Sequence, residues 1–358
     1  MPNMRHHFNA LLSKINPTDE RRELAARRVG EVRDWLAQHD FKTKSPHTRL
    51  SGSYSRSTAI ENIPDVDVLL FLPDSELDRT PNAVILGLQG VLKDYPGANI
   101  DTRCQRRSVR LSLGADDLEL DIVPSVPRDG LERPLRVPDR PRAVWIESDP
   151  LSYAERLSKV NLENGGKLVP LIKLLKAWRD EQMLRRKPKS YVLEVILLYA
   201  VEDGELVLCD SSTATNVRDA FVYITDKYEK LMDEGTGSPR VPDPQVQGSY
   251  ITRGWERAHF ETFLRRAREA RRAAERALNA QDEEKASAEW ARVFGSRWPS
   301  PELVKEAARA EGKANQPGQT AIDSLGRVLL ATAAVGLAAA AVAKATPTRP
   351  TRFHGTDR

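Results

Sequence analysis

Two aspartates spaced D-x-D, Asp65 and Asp67, stand at the head of the apolar run VDVLLFL (66–72), and a third, Asp121, lies inside LELDIVPSV (118–126). Side chains alternate along a strand, so residues two apart share a face and Asp65 and Asp67 project together. Two carboxylates side by side repel each other unless a divalent cation sits between them. If the strand of Asp121 pairs beside the first, the three carboxylates hold two metal ions. Mg2+ suits such a site as a hard ion that also takes phosphate oxygens, with Mn2+ as an alternative. One ion then activates an attacking hydroxyl, the other clamps a triphosphate and its departing pyrophosphate, and Asp121 serves as the base. A lone D-x-D is ordinarily a turn or a surface pair. Here Gly52-Ser53 precedes it by eleven residues (54–64), and a small pair of that kind lets backbone N–H groups approach a phosphate.

The surrounding pattern supplies elements to carry these residues. VDVLLFL, SVRLSL (108–113) and LELDIVPSV read as strands, rich in Leu and β-branched residues. Residues 80–95 read as a helix starting near Pro81, which interleaves helix with strand. Upstream, 8–39 reads as two helices broken at Asn16-Pro17-Thr18, with Thr18 the N-cap of the second. Residues 127–150, dense in proline, read as an irregular connection. From 151 the chain reads as helical, over 167–184, 190–202, 215–232 and one long segment at 255–292. The expected fold class is α+β: a mixed-sheet domain over 1–150 with N-terminal helices, a helical domain over 151–300, and the active site in the cleft between them.

Composition narrows the function. Lysine plus arginine is 55 and aspartate plus glutamate 51 in 358 residues, a net charge of +4 with both signs mixed, which by itself does not indicate nucleic-acid binding. Six arginines and two glutamates at 264–276 read as a solvated helix face. Cys104 and Cys209 are the only cysteines, too few for a disulfide framework or a four-thiolate zinc site. No secretory run opens the sequence, so a cytoplasmic setting is expected. The six histidines lack metal-ligand spacing, and His6-His7 reads as exposed. In the tail, 301–358, a polar linker leads to VLLATAAVGLAAAAVA (328–343). That run is short for a membrane span and half alanine, so a packed Ala-rich helix is favoured over membrane contact.

GSYSRSTAI, DVDV and LELDIVP together resemble the polymerase-β-type nucleotidyltransferase superfamily, and within it the bacterial cyclic GMP-AMP synthase/DncV-like enzymes (CD-NTases), relatives of the 2′-5′ oligoadenylate synthetases. LVPLIKLLKAWRDE (168–181), KPKSYVLEVILLYAV (187–201), VPDPQVQGSYITRGW (241–255) and EWARVFGSRWP (289–299) are similar to further elements of that group. The resemblance spans about 8–300 and leaves 301–358 outside. It implies that Gly52 and Ser53 bind donor phosphates and that Lys176 meets the triphosphate, with Lys173 able to assist. It implies further that Ser190 touches phosphate at a helix N-terminus and that Tyr191 stacks on the base. Where relatives continue Arg-Gly-Thr after the Gly-Ser pair, this chain has Arg56-Ser57-Thr58. Glu194, in an apolar helix, reads as the structural partner of an arginine.

The implied activity is Mg2+-dependent joining of nucleoside triphosphates (ATP, with GTP or pyrimidine nucleotides as alternatives) into a cyclic di- or trinucleotide. The product would bind a downstream effector in antiphage (CBASS-type) defence. Two other readings use the same residues: nucleotide transfer to an RNA end or small molecule, with nucleic acid the disfavoured substrate, and a non-catalytic nucleotide or RNA sensor.

Overall fold

The structure, a computed structural model, describes residues 2–61, 65–98, 103–128, 134–209 and 211–314. By its contacts the chain divides into two units, 1–305 and 306–358. The tail segment 328–343 lies outside the described residues. Among the described residues no helix is long and apolar enough to cross a membrane.

In chain order the elements are α1 (Arg5–Ile15), α2 (Asp19–Gln38), β1 (Thr48–Leu50), the single turn α3 (Gly52–Ser55), β2 (Asp65–Phe71), α4 (Pro81–Leu92), β3 (Arg103–Cys104), β4 (Val109–Leu113) and β5 (Leu118–Pro127). There follow β6 (Leu135–Asp139), β7 (Val144–Ser148), α5 (Pro150–Glu163), α6 (Leu168–Gln182), α7 (Ser190–Glu202), α8 (Thr213–Glu234), α9 (Arg257–Leu278), α10 (Glu283–Phe294) and α11 (Pro301–Ala314). Pro17 ends the first helix, and the Thr18 hydroxyl caps the second by accepting from Arg21 N at 3.2 Å. The long helix expected at 255–292 is two helices. Asp282 restarts the second by accepting from Lys285 N at 2.8 Å.

The sheet runs β1-β2-β5-β4-β3, with β6 paired to the far end of β5 and β7 to β6. β2 and β5 are parallel and the other pairs antiparallel. The proline-dense stretch expected to be irregular forms the β6–β7 hairpin. Of its prolines, Pro127 ends β5, Pro138 lies within β6, Pro141 sits in the turn between β6 and β7, and Pro150 opens α5.

Two cores result. Val66, Val68 and Leu70 of β2 pack with Leu111, Leu120 and Ile122 under α2 (Ala25, Val29, Val32, Leu36) and α4. The helices α5–α10 form the other core around Trp178, Phe221 and Trp290. α1 joins this helical core: Phe8 meets Trp290 edge-to-face at 5.0 Å and Trp298 at 5.3 Å. His7, expected at the surface, is buried and stacks on Trp298 at 5.7 Å, because α1 is clamped between α6 and the Trp298 segment. Five of the six arginines on the 264–276 stretch of α9 are ion-paired within the protein. Arg265 and Arg266 pair with Glu269, Arg268 with Glu229, Arg271 with Asp226 and Glu275, and Arg276 with Glu289.

Candidate active site

The parallel pairing of β2 with β5 sets Asp65 opposite Glu119 and Asp67 opposite Asp121. Strand alternation sends Val66, Val68, Leu120 and Ile122 into the sheet core and turns the four acids onto the other face. Crowding is evident in their chemistry. Burial, and then the charge of Asp121, pushes the Asp67 carboxyl up to about 6. Glu119 is raised by a hydrogen bond with Asp65 and by burial. Asp65 Oδ1 is buried and accepts no hydrogen bond.

Gly52 lies against these acids. Its φ is +63°, and a Cβ there would come 1.8 Å from Asp67 Oδ2, so both the backbone angle and the close approach require glycine. Ser51 N donates to Asp67 O at 2.8 Å, which ties the Gly-Ser turn to the strand head. Ser57 has φ +56°, the left-handed region that suits glycine, at the position where the resemblance pattern has one.

The site therefore packs the Gly52-Ser53 turn directly against a group of four oxygen-donor acids on two adjacent parallel strands. The profile of the Second Messenger Oligonucleotide or Dinucleotide Synthetase domain matches residues 2–161. A cyclic AMP-AMP-AMP synthase of Acinetobacter sp. is 30% identical over 318 residues, covering 85% of this chain and 88% of that protein. This chain belongs to the CD-NTase family. It is a nucleotidyltransferase of the polymerase-β-like superfamily, of the kind that joins nucleoside triphosphates into cyclic oligonucleotides. A cyclic AMP-AMP-GMP synthase of Enterobacter hormaechei is 22% identical over 82% of this chain and 91% of its own length. In fold, the chain is similar to E. coli MS115-1 CdnC with ATP (TM-score 0.66, 20% identity, 82% of this chain and 99% of that one). It is also similar to Vibrio cholerae DncV with nonhydrolyzable GTP (TM-score 0.65, 16% identity, 85% and 98%).

The helical half of the nucleotidyltransferase meets the sheet half through a buried charge cluster. Arg56 donates to Glu194 at 2.8 Å, and so does Thr58. Lys176, expected to meet the triphosphate, is instead 1% exposed and donates to Glu194, to Thr58 O at 2.8 Å and to Thr58 Oγ1 at 3.1 Å. All three ammonium protons are thus engaged inside the protein, where Lys176 fastens the loop after Gly-Ser to α6 and α7. Burial favours a neutral Glu194, but Lys176 and Arg56 hold its carboxyl down at about 2. Lys173 donates to Asn16 at 2.7 Å, and burial pulls its ammonium down to about 8.

Ser190 is the first residue of α7 and accepts from Arg179 at 2.8 Å. Half-buried Tyr191 donates its hydroxyl to Asp243 at 3.1 Å and lies edge-on to Tyr153 at 5.3 Å. The Arg56 guanidinium approaches both rings, at 5.1 Å from Tyr153 and 5.8 Å from Tyr191. Asp243 belongs to the Asp-Pro segment, whose place beside Tyr191 no local pattern announces.

Arg110 of β4 is the residue that sequence reasoning passed over. In SVRLSL, Val109, Leu111 and Leu113 are buried, so the alternate position of Arg110 placed it on the polar face beside the acids. Gln105 joins it by donating to Asp121 at 3.1 Å. The donor chemistry of Asp65, Asp67 and Asp121 fits a hard divalent cation: oxygen ligands, mutual repulsion to relieve and an orphaned oxygen on Asp65. As the side chains stand, no three acids among the described residues converge on one point, and the Asp121 carboxylate accepts from Arg110.

Proposed function

We propose that this chain condenses nucleoside triphosphates, ATP foremost, into a cyclic trinucleotide in a Mg2+-dependent reaction, and that the product signals to an effector in cytoplasmic antiphage defence. The observation that carries the reading is the register of two parallel strands that sets Asp67 opposite Asp121 beside Gly52. The names of the relatives, cyclic AMP-AMP-AMP and AMP-AMP-GMP synthases, favour a product built largely from ATP.

In this reading residues 1–150 form the catalytic domain and 151–300 close over the nucleotide. Gly52 and Ser53 receive the donor phosphates, and Tyr191 offers a ring face to the base while Ser190 lies at the start of α7. Asp65, Asp67 and Asp121 hold divalent ions, which when bound lower the pKa of a ribose hydroxyl and stabilise the departing pyrophosphate. Asp121 takes the proton of the attacking ribose hydroxyl as a new P–O bond forms to the α-phosphorus and the bond to pyrophosphate breaks.

The test is to incubate the purified chain with Mg2+ and all four labelled nucleoside triphosphates and to identify products by mass. A small, phosphatase-resistant product with the mass of a cyclic triadenylate, or of its guanylate-containing analogue, is expected. Growth of an RNA end, or nucleotide binding without pyrophosphate release, would refute the reading.

A further inference from the structure

Arg110 stands directly across the antiparallel β4–β5 pair from Asp121. Its Nε donates to Oδ1 at 2.9 Å and its Nη2 to Oδ2 at 2.8 Å, a two-pronged fork on one carboxylate. The same guanidinium donates through Nη1 to Glu119 and lies 3.5 Å from Asp65 Oδ1. Asp121 Oδ1 also accepts from Gln105, so both of its lone pairs are occupied. One permanent positive charge therefore bridges Asp65, Glu119 and Asp121, two of which, Asp65 and Asp121, belong to the set a divalent ion would take.

We propose that Arg110 is a positioning residue that rations Asp121: a divalent cation gains this carboxylate only in competition with the guanidinium fork. The inference rests on the reading of these acids as cation ligands. Two positive groups cannot share the same few oxygens without mutual repulsion, so a cation arriving alone is opposed by Arg110. A cation arriving with a triphosphate brings compensating negative charge. Cation binding is thereby made dependent on substrate.

Mn2+ alone, titrated into the full-length chain without nucleotide and followed by calorimetry or by the paramagnetic resonance of free Mn2+, tests this. Arg110→Gln is expected to bind Mn2+ about tenfold tighter than the unaltered chain, the fork and its charge both being gone. Arg110→Lys keeps the charge, loses the fork and is expected to gain roughly threefold. If Arg110→Gln does not fold, Arg110→Lys carries the test. Mn2+ affinity that is unchanged or weaker in the folded variants overturns the proposal. Adding Asp67→Asn to Arg110→Gln is expected to abolish the gain, and a gain that survives this change also overturns it. Turnover of nucleotides by the unaltered chain is measured alongside. Its absence with the Mn2+ gain intact would refute the proposed function and leave the role of Arg110 standing.

Discussion

The carboxylate of Asp67 fills the space in which any side chain on residue 52 would begin: Oδ2 lies 1.8 Å from where a Cβ on Gly52 would be. The Gly52-Ser53 turn and the acid strand are therefore built against each other, with no atom to spare between them. Gly52→Ala is expected to displace the Asp67 side chain or the turn. Because a shift of about 1 Å at reacting groups is worth roughly a hundredfold in rate, pyrophosphate release should fall by about that factor while the circular dichroism spectrum is retained. Turnover close to that of the unaltered chain would show that this contact does not set the site.

Asp67 carries its charge at a cost to the fold, since burial and Asp121 both oppose ionisation. Asp67→Asn keeps the shape and removes the charge. It is expected to abolish nucleotide consumption and, in EDTA at pH 7, to raise stability by about 1–2 kcal/mol. Thermal melts read the second effect, and a lower melting temperature for the variant would contradict it.

The Arg56–Glu194–Lys176 cluster is buried, so removing its one acid strands two cations. Glu194→Ala is expected to cost about 3–5 kcal/mol in urea unfolding. Lys176→Met should likewise lower stability and leave the KM for ATP near its original value in the folded fraction. A large rise in KM at unchanged stability would return Lys176 to the triphosphate.

Lys173 gives a pH signature. Its folded-state pKa of about 8 lies below the ordinary value of 10.5, so protons favour the unfolded chain. The penalty is absent above pH 10.5, develops as pH falls towards 8 and is complete at pH 7. Lys173→Met is therefore expected to stabilise the chain by about 1–3 kcal/mol at pH 7, the gain shrinking steadily as pH rises through that window. Urea titrations at several pH values check it. A gain that does not vary with pH would point to packing rather than charge.

The sequence by itself determined whatever local periodicity writes. The D-x-D alternation placed two acids on one face, Thr18 and Pro17 marked a helix boundary, and Gly52-Ser53 marked a tight approach. Residues 66–72, 108–113 and 118–126 read as strands and form β2, β4 and β5, which differ from those bounds by a residue or so. Tertiary structure alone decided which groups face each other across strands and helices. Arg110 meets Asp121 through strand pairing, Lys176 turns inward to partners on α7 and on the loop at Thr58, Asp243 reaches Tyr191, and α1 joins the helical core. The physical reason is range. Backbone alternation and capping act over a few residues and leave a pattern in the chain, whereas a salt bridge or a packed ring depends on segments brought together only by the fold.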